Sequence, residues 1–202
     1  QDITITNVSD TSFTFSYLTH DVLPGTISFG KDTNLGFTEI EDIDRQKGSI
    51  SSRTIHVTTL NNLTANTRYY FAINSGQTTF LNNNAPFETI TASSISTPLS
   101  PQTSINGTVI LPDGSTPTQT IAYLTVKGAQ TLSTPVNKNG GFSFILDFLR
   151  YEDLSAYFNL ESDSNIKITF INELFSSRVL SLYNQTNPLP TITLSNNYDF
   201  TF

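Results

Sequence analysis

Apolar residues in this chain recur at every second position, in short runs, and almost nowhere at the spacing of a helix face. Ile3-Thr4-Ile5, Phe13-Thr14-Phe15, Ile27-Ser28-Phe29 and Ile55-His56-Val57 alternate in this way, and Tyr69-Tyr70-Phe71-Ala72-Ile73 has the same character. A period of two puts successive side chains on opposite faces of a pleat, so each run reads as a half-buried strand. Turn formers separate the runs: Leu23-Pro24-Gly25, Asn61-Asn62, Asn82-Asn83-Asn84, Pro112-Asp113-Gly114 and Asn137-Lys138-Asn139-Gly140-Gly141. Many short strands at regular turn spacing fit sandwiches better than alternating strands and helices. The 31 Thr, 23 Ser and 19 Asn make 73 of 202 residues, which suits this design, because β-branched Thr fits the pleat and Asn fits turns. One stretch, 147–160, has mixed spacing. There Leu149, Leu154, Tyr157 and Phe158 predict a short helical turn near Tyr151–Phe158.

Residues 92–104 hold two prolines, five serines and no charge. Pro98 and Pro101 stiffen such a segment toward an extended form. The chain therefore divides into a domain over 1–95, a linker over 96–104 and a domain over 105–202. Each half has the size of a sandwich of about seven strands. The fold class expected is all-β, two tandem Ig-like or transthyretin-like β-sandwiches.

Several chemistries are excluded early. The chain has no Cys, hence no disulfide, no thiolate metal site and no Cys nucleophile. No apolar run reaches the ~18–20 residues of a membrane span. A net charge of -7 argues against nucleic acid, whose binders carry basic stripes. No Gly-x-Ser-x-Gly elbow and no phosphate-binding glycine loop is present, and the chain is read as a non-enzyme.

The stretch Leu63-Thr64-Ala65-Asn66-Thr67-Arg68-Tyr69-Tyr70-Phe71 resembles the E–F corner of a fibronectin type III domain. The resemblance implies that Tyr69 is the corner tyrosine, with its hydroxyl bonded back to nearby backbone, and that Leu63 belongs to the same corner. It covers roughly 1–92. Val8–Tyr17 is similar to the A–B region, with Tyr17 where the family commonly has Trp, Gly25–Gly30 to strand C and Pro86–Thr91 to the last strand. In the second half, Ile105-Asn106-Gly107-Thr108-Val109 through Asp113-Gly114, followed by Gly141-Phe142-Ser143-Phe144, resembles a carboxypeptidase-regulatory-like, transthyretin-like domain. Gly107 would allow a close strand crossing, Asp113-Gly114 would close a hairpin, and Phe142 and Phe144 would share a face. This pair of domains in this order resembles modules of bacterial surface proteins.

Chemistry-bearing residues are few. His20 and His56 read as exposed strand or loop histidines. The run Glu39-Ile40-Glu41-Asp42-Ile43-Asp44 is the densest charge on the chain. It reads as a solvated loop beside a sheet edge, its charge deterring edge pairing. Glu39, Glu41, Asp42 and Asp44 are also the chain's calcium candidates, since Ca²⁺ takes several carboxylate and carbonyl oxygens. No other cofactor is implied. Asn7, Asn62, Asn106 and Asn184 head Asn-x-Ser/Thr sequons.

The chain starts at Gln1 without Met or an apolar leader, as a signal-cleaved chain or an excised fragment would. Ile3 and Ile5 at one end, and Tyr198, Phe200 and Phe202 at the other, are candidates for assembly. Each set is either a strand of its own domain or a strand added to a partner's edge. The resulting expectation is a structural or adhesive protein of a prokaryotic cell surface. Its partners would be copies of itself, as in an extracellular filament, or other surface proteins. The alternative is an accessory carbohydrate- or protein-binding module of a larger secreted protein.

Overall fold

The computed structural model describes residues 3–97 and 101–201, so Pro98 of the expected linker and Phe202 of the assembly candidates lie outside the described residues. The chain divides into two compact units, Gln1–Ser94 and Ile95–Phe202. Both are β-sandwiches, and the expected all-β class holds.

In the first unit β1 (Thr4–Thr6), β2 (Phe13–Leu23), β3 (Gly25–Gly30) and β4 (Phe37–Ile40) precede the one-turn helix α1 (Asp42–Lys47). Then follow β5 (Arg53–Leu60), β6 (Arg68–Ser75), β7 (Thr78–Phe80) and β8 (Phe87–Ile90). One sheet has the order β1-β2-β5 and the other β4-β3-β6-β7, with β8 also paired to β6. Direct partners on antiparallel strands share a face, so register fixes what meets in the core. Phe13 pairs Leu60, Phe15 pairs Thr58 and Tyr17 pairs His56. In the second sheet Ile27 pairs Ile73 and Phe29 pairs Phe71. The sheets meet where the Phe15 and Phe71 rings lie 4.2 Å apart. Leu63 is buried, and the hydroxyl of buried Tyr69 accepts the Thr64 N–H at 2.9 Å. Ile5 pairs Phe15 within β1–β2, and Ile3 and Ile5 are partly buried against this core.

The second unit contains β9 (Ile105–Ile110), β10 (Thr120–Val126), β11 (Leu132–Pro135), β12 (Gly141–Phe144), β13 (Asn165–Asn172), β14 (Ser176–Leu182), β15 (Ile192–Thr193) and β16 (Tyr198–Phe200). Its sheets run β11-β10-β13-β14-β16 and β12-β9-β15. Gly107 lies under the Phe142 ring: a Cβ there would meet Phe142 Cζ at 3.0 Å and Leu189 Cβ at 3.2 Å. Phe142 and Phe144 are both buried. β16 lies parallel to β14, with Tyr198 and Phe200 packed on the core.

Three expectations need correction. Asp113-Gly114 closes no hairpin, because β9 and β10 lie in different sheets. It forms a tight turn in the connection between them: Gly114, at φ 83°, donates its N–H to Leu111 O, and Leu111 N–H donates to Ser115 O. The segment Tyr151–Phe158 is not helical. Tyr151 bridges Ala129 and Arg150 bridges Tyr157, the Asp153 carboxylate takes both the N–H and hydroxyl of Ser155, and Leu154 sits at φ 62°. That left-handed residue cannot continue a right-handed helix. The end of the expected linker is also built into the second unit. Gln102 donates from its amide to Leu146 O and Phe158 O and accepts the Leu160 N–H, and Thr103 O accepts the Tyr183 hydroxyl.

Candidate functional site

The densest polar construction in the described chain lies inside the first unit. Because Tyr17 and His56 are register partners, both project from the face that carries Phe13 and Phe15. Their rings stack with centroids 4.4 Å apart and planes 8° from parallel. β4 ends beside them, and the chain turns into α1 at Glu41. Glu41 and Asp44 both reach inward and have no solvent exposure. Glu41 Oε1 lies 2.5 Å from His56 Nδ1.

Arg53, at the start of β5, joins the two acids. Its Nη1 donates to Glu41 Oε2, and to Asp44 Oδ2 at 3.1 Å; its Nη2 donates to Asp44 Oδ1, and to Ser51 Oγ at 2.5 Å. The Ser51 N–H and hydroxyl add two bonds to Asp44 Oδ1, at 3.2 and 2.8 Å. A buried carboxylate without such partners is strongly unfavourable, and the guanidinium fork suits two acids at once. At the rim, Asp42 accepts the Thr59 N–H and hydroxyl, and Arg45 pairs with Glu39 and Asp42.

Two groups in the cluster are electrostatically displaced. Burial, with help from the Arg53 charge, pushes the His56 imidazole down to about 4; Asp44 and a backbone hydrogen bond at Arg53 oppose this. His56 is therefore neutral at pH 7. Its Nδ1–H donates to Glu41, and Nε2 accepts from the Thr19 hydroxyl at 3.0 Å. Burial also raises the Tyr17 phenol above its ordinary value. Among the described residues the buried Tyr17 hydroxyl has no hydrogen-bond partner. Gly25 makes the packing of this cluster possible. A Cβ on it would stand 2.6 Å from His56 Nδ1 and closer still to Glu41 Oε1 and the Tyr17 hydroxyl.

Thr19, His56 and Glu41 stand in the order of a hydroxyl–base–acid relay. Two features turn the arrangement away from nucleophile activation. A base near 4 takes up a proton poorly at neutral pH, and the Thr19 hydroxyl has a second acceptor in Asp21 O at 2.8 Å. What the cluster does chemically is tie α1 to β5 with charge-assisted bonds, and β5 to β2 through the Tyr17–His56 stack and the Thr19–His56 hydrogen bond.

The structure thus overturns two readings. His56 is fully buried, and Glu41 and Asp44 belong to the core rather than to a solvated loop. The calcium candidates are occupied by cationic or hydroxyl partners, Glu41 and Asp44 by Arg53, and Glu39 and Asp42 by Arg45. Among the described residues no group of three or more His, Asp or Glu side chains converges to hold a metal ion. His20 is exposed, on the irregular stretch of β2 between Leu18 and Leu23. Of the sequon residues, Asn62 and Asn184 are exposed, while the Asn7 and Asn106 amides donate to Thr14 and Asn187. No described helix is long and apolar enough to cross a membrane.

No family model and no curated protein matches the chain. Among solved structures, the chain is similar to the sensor domain of the anti-sigma factor RsgI4 of Pseudobacteroides cellulosolvens (TM-score 0.31, 11% identity), covering 46% of this chain and 98% of that one. It is similar to PhoD (TM-score 0.32, 9% identity), covering 54% of this chain and 21% of that one. It is also similar to chicken CNTN1 domains FN1-FN3 (TM-score 0.31, 14% identity), covering 98% and 66%. The chain thus spans about a fifth of the PhoD chain and just under two thirds of the CNTN1 fragment.

Proposed function

We propose that this chain is a non-enzymatic structural or adhesive module of a prokaryotic cell surface, whose copies join through sheet edges into an extracellular filament. The observation that carries this reading is that two sheets end on short edge strands, β1 and β16. β1 has three residues against eleven in β2, and β16 has three against seven in β14. The edge of an open sheet can take an added strand from another chain.

Electron microscopy of the purified full chain tests the reading. Filaments or a regular oligomer series are the expected result, and truncation before Tyr198 is expected to stop assembly while the first unit stays folded. Filaments that survive that truncation remove β16 from the mechanism.

A second reading, an accessory binding module for a glycan or protein, draws on one feature of the second unit. Ile145, Phe148 and Tyr151 are exposed within seven residues of each other, and Phe158 stands edge-on to Tyr151 at 5.0 Å. Exposed rings of this kind suit sugar faces. A glycan array with a Tyr151→Ala control distinguishes it: saturable, Tyr151-dependent binding by a strict monomer favours the module over the filament.

A further inference from the structure

We infer that β16 is an exchangeable strand, which in the assembled protein leaves its own unit and pairs with β14 of the next copy. This rests on the sheet-edge assembly proposed above and names the segment and the edge that perform it. β15 and β16 belong to different sheets of the second unit, and only residues 194–197 connect them. Leu194 is buried and anchored by its N–H on Ile110 O at 2.9 Å. The whole crossing between sheets therefore falls on Ser195, Asn196 and Asn197. Ser195 makes it at φ 76°, a left-handed conformation that residues with a side chain rarely adopt. A short hinge under strain favours strand exchange.

What β16 gains by folding back is a short ladder and a few contacts that another copy can supply. Its ladder is three pairs, Val179–Tyr198, Leu180–Asp199 and Ser181–Phe200. The other contacts are the packing of Tyr198 and Phe200 on the core, the Thr193 N–H bond to the Tyr198 hydroxyl at 3.0 Å and the Arg178 N–H bond to Asn197 Oδ1 at 2.9 Å; within the turn the Asn196 N–H reaches Thr193 O at 3.4 Å. On a neighbouring copy the ladder, the packing and the Tyr198 and Asn197 bonds are made again with the same residues, and what is lost is the strained turn with its Asn196–Thr193 bond. Exchange in which each copy receives β16 from one neighbour and gives it to another is a heterologous contact that need not close, so it propagates into a chain.

The test uses the absence of native Cys. Leu180 and Asp199 are paired on the outer side of the sheet, away from buried Val179 and Ser181. The full chain carrying Leu180→Cys and Asp199→Cys is concentrated, oxidised and run on a non-reducing denaturing gel beside each single variant. A ladder of covalent trimers and longer species, absent from both single variants, is the expected result. Crosslinks confined to one copy, or a closed dimer and nothing longer, overturn the inference. Electron microscopy of the wild-type chain separates the two levels. Wild-type filaments with crosslinks only inside each copy overturn exchange and leave sheet-edge assembly standing, whereas a persistent monomer overturns both. Ser195→Gly provides a second readout that leaves β16 intact. Relieving the turn favours the closed form and is expected to lower the oligomer fraction roughly five-fold, and an unchanged fraction counts against the hinge.

Discussion

His56 and Glu41 face one another inside the first unit, ring nitrogen to carboxylate at 2.5 Å, with neither residue exposed to solvent. The pair is the centre of a cluster that decides how α1 and β5 are held, and its energetics are accessible to measurement.

The pH dependence has a definite sign. His56 titrates near 6.5 when unfolded and near 4 in the fold. Between those values the unfolded chain binds a proton that the fold refuses. The contribution of neutral His56 is complete above about pH 6.5 and is lost as pH falls toward 4, amounting to about 3 kcal/mol over the window. Urea unfolding followed by circular dichroism from pH 7 to 4 reads it. His56→Gln is expected to flatten that slope while leaving the acid sensitivity below 4.

Arg53 is the cation shared by two buried acids. Removing it strands Glu41 and Asp44 without a countercharge, and Arg53→Ala is expected to cost about 3–5 kcal/mol. Thermal unfolding compared with the exposed control Arg68→Ala measures this. A cost below about 1 kcal/mol contradicts the buried ion network.

Tyr17 and Gly25 make opposite predictions at one spot. Among the described residues the buried Tyr17 hydroxyl has no partner, so Tyr17→Phe is expected to be neutral or to stabilise by up to about 1 kcal/mol. Gly25→Ala forces a methyl into Glu41, His56 and Tyr17 and is expected to destabilise by about 1–3 kcal/mol or more. Gly36→Ala, where a Cβ meets nothing within 4 Å, is the matched control, with an expected effect within about 0.5 kcal/mol.

Tyr69→Phe removes the acceptor of the Thr64 N–H and is expected to cost about 1–2 kcal/mol by thermal unfolding. Backbone amide exchange at Thr64 should quicken in the variant.

The strands and the Tyr69 corner were legible because their signals are local. Alternation over five residues, or a Leu and a Tyr at fixed spacing, needs no knowledge of distant chain. The buried cluster was not, since it joins residues 17, 25, 41, 44, 53 and 56 through tertiary contacts alone. His56 shows why. Alternation in Ile55-His56-Val57 suggests that the apolar pair faces inward, yet the register sets His56, Thr58 and Leu60 opposite Tyr17, Phe15 and Phe13, so the polar parity faces the core. The available signal was Leu60, which belongs to the same parity as His56. Similarly, Asp113-Gly114 announced a turn but not which sheet the next strand would join, because β10 pairs with β11 and β13, which lie far along the chain from that turn.

The central claim is that copies of this chain associate through their own sheet edges. Sedimentation equilibrium of the wild-type chain, from micromolar to millimolar concentration at neutral pH, tests it most directly. The account predicts a weight-average mass that climbs with concentration past several multiples of 22.3 kDa. A mass that stays at 22.3 kDa throughout contradicts it.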